Sequence, residues 1–230
     1  MAEPLQIGLL IFPKVTQLDF TGPLQVFAGL PATMAKVHLI WKRIEPVSTD
    51  SVMILTPTMT FAECPQLDVI CVPGGFGTND LVNDEEVLGF LRTQAEAAKY
   101  ITSVCTGSLV LGAAGLLRGY RASTHWSAMD CLAPFGATPT KTRVCVDRNR
   151  ITGGGVTAGI DFALTLVSIL RDRTTAEAIQ LQMEYNPAPP FNSGSPDTAP
   201  AEVLALLRER GAQNQARRLE AVKRAAERVN

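Results

Sequence analysis

Short apolar runs rich in Val and Ile alternate with helix-forming stretches over most of the chain, and this alternation restricts the fold more than any other feature. Residues 6–12 (QIGLLIF) form a nearly continuous apolar run, as expected of a strand covered on both faces. Residues 36–41 (KVHLIW), 67–72 (LDVICV) and 100–104 (YITSV) read as further strands. Residues 43–62, with β-branched side chains and interspersed prolines, predict a meander or edge hairpin, and 121–124 and 143–147 predict short strands. Between the strands lie predicted helices. Residues 21–30 (TGPLQVFAGL) form a short one, with Pro23 in its first turn. Residues 84–99 are amphipathic, with Val87, Leu88, Leu91 and Ala95 on one face. Residues 106–117 form a small-residue helix ending near Gly119, and 159–170 a strongly apolar one. Alternation without an internal repeat points to an α/β, doubly wound, mainly parallel sheet with helices on both faces.

At roughly 100–200 residues per domain, 230 residues allow one large domain or two small ones. Such a chain buries enough surface to fold without disulfides or a structural metal. No break precedes residue 185, so residues 1–198 read as a single domain. Five prolines within 186–200 forbid regular structure there and predict a surface segment. Residues 199–230 are helix formers interrupted by Gly211, a C-terminal helical extension. That extension holds seven Lys/Arg against four Glu, while residues 1–198 hold fourteen against eighteen acids. Interleaved charges of this kind describe a solvated helix face that packs or supports a dimer, rather than a polyanion grip. The net charge of −1 argues against bulk binding to nucleic acid or anionic membrane. The N-terminal apolar run is too short to cross a membrane, with no basic segment before it and no small-residue cleavage site after it. A reducing cytoplasm with free thiols is the expected setting.

The five cysteines (Cys64, Cys71, Cys105, Cys131, Cys145) contain no CxxC, and there are only two histidines, His38 and His125, so no metal site is expected. One cysteine is placed for chemistry. In YITSVCTGSLVLGAAGLL (100–117) a strand runs into Cys105 and a helix starts at once, with Gly107 two positions on. This is the strand–nucleophile–helix elbow of α/β hydrolases. The N–H groups and dipole of the new helix favour a thiolate there, the reactive form of cysteine. The alternative is a buried cysteine acting as a small hydrophobe, the reading adopted for the other four.

VPGGFG (72–77) ends a strand on the edge where open α/β sheets bind ligands, so Gly74 and Gly75 either form an anion hole beside Cys105 or a plain turn. Asp19, in QLDFTGP, is either a helix N-cap or, between Leu18 and Phe20, a carboxyl of raised pKa that relays protons. His125, in STHWS, is either a catalytic partner or a structural residue beside Trp126, and His38 reads as structural. ITGGGVTAG (151–159), which contains Gly154, lacks nucleotide-loop spacing and reads as a flexible wall over the site.

Taken in order, LDFTGP, DVICVPGG, SVCTGSLVLGAAGLL, STHW and TGGGVTAGIDFAL resemble the PfpI-like branch of the class I glutamine-amidotransferase-like superfamily. Within it the pattern is most similar to the isonitrile (isocyanide) hydratase subgroup, over roughly residues 5–200, EYNPAPPFNSGSPDTAP included. Proteases and deglycases of the superfamily place His directly after the cysteine and a Glu near the first strand. Here Thr106 and Asp19 stand at those positions, both departures toward the hydratase pattern. The resemblance implies a flavodoxin-like fold, a homodimer, no cofactor, and hydration of an isonitrile to an N-substituted formamide. It implies Cys105 as nucleophile, Asp19 as acid/base and Thr106 as the group that orients substrate or water. Two rivals remain: another thiol activity of the superfamily, and a sensor domain like that of AraC-type regulators, which carry an additional DNA-binding region.

Overall fold

A computed structural model describes residues 3–229. Its frame is a seven-stranded sheet that the apolar runs build. β1 (Leu5–Leu10), β2 (Ala35–Trp41), β5 (Met59–Thr60), β6 (Val69–Val72), β7 (Tyr100–Val104) and β11 (Arg150–Gly153) are joined by parallel pairings. β10 (Val144–Asp147) closes one edge antiparallel to β11, giving the order β10-β11-β7-β6-β1-β2-β5. The central order β2-β1-β6-β7-β11 is the flavodoxin-like one, with the chain reversing direction of travel between β1 and β6. A hairpin of β3 (Val47–Ser48) and β4 (Ile54–Leu55) fills the predicted meander, and β8 (Arg121–Ala122) pairs with β9 (Thr138–Pro139).

Helices cover both faces. α1 (Gln17–Phe27), α5 (Ala158–Leu170) and α6 (Arg173–Gln182) pack together on one side. α2 (Thr78–Leu81), α3 (Glu85–Ala95), α4 (Gly107–Ala113) and α7 (Ala201–Val229) form the other. α3 starts where the Asp84 side chain accepts the Val87 N–H and caps the helix. The core runs through the sheet: Ile7, Leu9, Val69, Ile70, Val72, Ile101 and Val104 are fully enclosed.

Several expectations give way. α1 begins four residues earlier than its composition suggests, with Thr16 at the N-cap, so Asp19 lies inside the first turn and is not a cap. Pro23 is therefore mid-helix, a costly position in isolation. Close packing of α5 accompanies it, since a Cβ on Gly159 would sit 3.0 Å from the Pro23 ring. Of the expected flexible wall over 151–159, residues 151–153 are instead part of a buried strand, β11, hydrogen-bonded in register with β7, while Val156 does line the cavity. α6 is present where no helix was expected, and α4 stops at Ala113, short of the predicted 117. Finally, Gly211 does not interrupt α7, which runs unbroken for 29 residues. Its C-terminal half docks on α2 and α4 through Ala221, Val222, Ala225 and Ala226, and that packing outweighs the low helix propensity of one glycine.

Candidate active site

The carboxyl ends of β1, β6 and β7 lie side by side, and each delivers one part of the site. β7 ends directly at Cys105, which adopts φ +55, a left-handed conformation unusual for a side chain of this kind. The surroundings hold it there. Its N–H donates to the carbonyls of Gly154 (2.8 Å) and Gly153 (3.1 Å). Its carbonyl accepts from Thr124 Oγ1 (3.0 Å) and Ser108 Oγ (3.2 Å). The turn that follows is possible only with glycine at 107, because a Cβ there would stand 2.0 Å from the Val72 carbonyl oxygen. Gly154 thus supports the elbow through its backbone.

β6 ends in the Pro73-Gly74-Gly75 turn, and the structure decides what those glycines do. The Gly74 N–H donates to Asp19 Oδ2 (2.8 Å) and the Gly75 N–H donates to Thr106 Oγ1 (3.1 Å). Both donors are committed to side chains of the site. They position Asp19 and Thr106 and are not free to form an anion hole. A Cβ on Gly74 would fall 2.6 Å from the Thr106 nitrogen and 2.7 Å from Asp19 Oδ2, so only glycine lets these three segments meet. Thr106 is further held by Thr78, whose hydroxyl lies 3.1 Å from Thr106 Oγ1 and 2.8 Å from the Gly75 carbonyl.

Asp19 is fully enclosed. Its Oδ1 is buried with no hydrogen bond of regular geometry. Burial pushes its pKa up from 3.8 to about 7, opposed by the Gly74 N–H and the Cys105 thiol and reinforced by the charge of Asp50. The Cys105 thiol is itself pushed well above its ordinary value, first by burial and then by Asp19; the Thr106 N–H and the Arg218 charge pull the other way. The helix N-terminus beside Cys105 does not prevail, so the resting sulfur is a thiol next to a carboxyl titrating near neutrality. Such a pair is able to exchange a proton internally.

His125 lines the same cavity. Its Nδ1 lies 2.8 Å from Ser127 Oγ and accepts the Ser127 N–H at 3.3 Å. Burial and the nearby Arg218 lower its pKa to about 4. Its imidazole is neutral above about pH 4 and its Nδ1 is engaged by Ser127. His38 sits on β2 against Gln6 Oε1 (2.8 Å), away from the site. The remaining cysteines are free, and among the described residues no cluster of three or more His, Cys, Asp or Glu could hold a metal ion.

The cavity over Cys105 measures about 800 Å³. Thr16, Gly75, Cys105 and Thr106 lie along it, Phe76, Trp126 and Val156 give it apolar walls, and α7 contributes Leu207, Gly211, Arg218 and Leu219. The interleaved charges of α7 read in sequence as a solvated face that packs or supports a dimer. Arg218 is in fact buried, at 7% exposure. The signal was present in the helical spacing of Arg218 with Ala221, Val222 and Ala225, which puts it on the packed face.

These features define a cysteine-dependent α/β protein. The chain belongs to the DJ-1/PfpI family, whose model matches residues 6–169. It is 57% identical over 226 residues to an isonitrile hydratase of Pseudomonas putida, covering 98% of each chain. It is 38% identical to the HTH-type transcriptional regulator GbdR of Pseudomonas aeruginosa, across 80% of this chain and 51% of the regulator. A crystal structure of a THiJ/PfpI family protein from Pseudomonas syringae superposes with a TM-score of 0.91 at 48% identity, covering 96% of this chain and 91% of that one.

Proposed function

We propose that this protein is an isonitrile hydratase, which adds water to R–NC and releases the N-substituted formamide R–NH–CHO. One observation carries the reading: Cys105, at a strained elbow, is coupled to a buried carboxyl whose pKa stands near neutrality. An isonitrile demands a soft nucleophile at its terminal carbon and a proton on that same carbon, and this pair supplies both. The likeness to the Pseudomonas putida enzyme supports the assignment. The engagement of His125 disfavours a Cys–His protease or amidase.

The chemistry proceeds in two halves. The Asp19 carboxylate takes the thiol proton, sulfur attacks the isonitrile carbon, and Asp19 returns the proton to that carbon, leaving the thioimidate R–N=CH–S–Cys105. Water then adds to the carbon while a proton goes to nitrogen. The adduct R–NH–CH(OH)–S–Cys105 breaks its C–S bond, and the hydroxyl proton passes through Asp19 to sulfur as the formamide leaves. Thr106 Oγ1, anchored by the Gly75 N–H and Thr78, orients substrate or water. The cycle is complete with nucleophile, carboxyl and water, and requires no cofactor.

The same reading includes a homodimer acting in the cytoplasm on a small molecule, without nucleic acid or membrane. Two observations support the dimer. Val52 and Ile54 of the β3–β4 hairpin stand 101% and 67% exposed. Val203, Leu206 and Leu207 form an exposed apolar stripe on the first turns of α7. Among the described residues no helix is long and apolar enough to cross a membrane.

The test is to incubate the protein with para-nitrophenyl isocyanide and follow the formamide, and any Cys105 adduct, by mass spectrometry. Turnover that vanishes in Cys105→Ala is the expected result. Activity surviving in that variant overturns the mechanism, and no turnover by the unaltered protein overturns the activity.

A further inference from the structure

Among the described residues, Arg218 is a buried cation with no carboxylate counter-ion; the charges it faces are those of the Cys105 and Cys131 sulfurs. Its Nη1 donates to three neutral oxygens: Gln215 Oε1 (2.7 Å), Ser127 Oγ (3.2 Å) and the Ser127 carbonyl (3.3 Å). Among the described residues its enclosed Nε has no partner and its Nη2 makes no hydrogen bond. Among the described residues no carboxylate pairs with it, although other arginines of α7 do face acids. Taking a guanidinium out of water without a carboxylate is expensive, and an anion entering the cavity would offset that cost. It lines the same cavity as Cys105, and a second cation, Arg208, lies exposed on the same wall. Against these stands one rim carboxylate, the exposed Asp130.

The space between supports a substrate with two ends. The isonitrile group is linear and only two atoms long, so most of about 800 Å³ belongs to whatever it is attached to. Phe76, Trp126, Val156, Leu207 and Leu219 make that intervening wall apolar. We propose that the preferred substrates are isonitriles bearing a carboxylate across an apolar body, with Arg218 binding the carboxylate while Cys105 takes the isonitrile carbon. This rests on the hydratase reading. Planar, two-pronged guanidinium recognition suits a carboxylate, and a charged hydrogen bond of this kind distinguishes acid from ester by about tenfold or more.

The experiment compares 4-isocyanobenzoate with its methyl ester, which keeps the ring, removes the charge and withdraws electrons more strongly, so that a preference for the acid runs against intrinsic reactivity. The unaltered protein is expected to favour the acid in kcat/KM by about tenfold or more, mainly through KM. Arg218→Met should collapse the acid-to-ester ratio toward one, and Arg218→Lys should retain part of it. An ester used as well as the acid by the unaltered protein overturns the proposal. So does an equal loss on both substrates in Arg218→Met, which would make Arg218 a support of the thiol or the fold. If neither isonitrile turns over, the hydratase reading falls, and the subsite is tested separately with 4-formamidobenzoate. Saturable quenching of Trp126 fluorescence by the acid and not its ester, lost in Arg218→Met, upholds the anion site. Equal or absent quenching refutes it.

Discussion

Replacing Asp19 by Asn separates what this carboxyl does for catalysis from what it costs the fold. Asp19 is enclosed, and its pKa rises from 3.8 to about 7 on folding. Below about pH 4 the group is protonated in both states and carries no penalty. Between about 4 and 7 the unfolded chain ionises while the fold retains the proton, so stability falls as pH rises. Above 7 the full penalty of about 4 kcal/mol applies. At pH 5 the same linkage leaves only about 1.5 kcal/mol of it. Asn keeps an acceptor for the Gly74 N–H but never ionises, while its amide N–H₂ enters the buried Oδ1 region at a cost of about 1–3 kcal/mol that does not depend on pH. Asp19→Asn should therefore lose formamide production, yet improve relative to the unaltered protein by about 3 kcal/mol between pH 5 and pH 8. Urea unfolding of both proteins at the two pH values measures this directly, and titrations shared by both, such as that of His125, cancel. A stability difference identical at the two pH values would refute the assignment of a raised pKa to Asp19.

Activity should rise with pH through an apparent value of about 7 as the Cys105–Asp19 pair loses its first proton, and kcat/KM against pH reads it. His125→Gln should leave that apparent value in place, because the imidazole is already neutral above about pH 4. Gly107→Ala should destabilise the chain by about 3 kcal/mol or more, since the new methyl would stand 2.0 Å from the Val72 carbonyl oxygen; thermal unfolding reports it. Gly211→Ala should stabilise by about 0.5–1 kcal/mol, because it lies in mid-helix with nothing within 4 Å of the added methyl. Denaturant unfolding checks that gain.

The elements legible in advance were those whose signal is local. β7 was bounded correctly because its apolar run ends abruptly at Tyr100 and Val104, and the start of α3 was placed within one residue because Val87, Leu88 and Leu91 share a helical face. The elbow at Cys105 was legible for the same reason: Gly107 marks the only spacing at which strand and helix meet so sharply. β11 was missed because the glycines at and after its end, 153–155, read as a loop when the pairing with β7 cannot be seen. α7 read as broken because the docking that overrides Gly211 comes from α2 and α4, far away along the chain.

The sheet-and-helix class and the placing of Cys105 at a strand–helix elbow are written in the sequence, since both follow from short-range sterics and periodicity. Only the tertiary structure decided the roles of the other groups. The Gly74 N–H and Asp19 are 55 residues apart, and their hydrogen bond converts a supposed anion hole into a clamp on the carboxyl. Arg218 reaches Ser127 across 91 residues and changes from a surface charge into a buried cation over the cavity. Burial and long-range partners set the charge state of a side chain, and these come into existence only when distant segments meet.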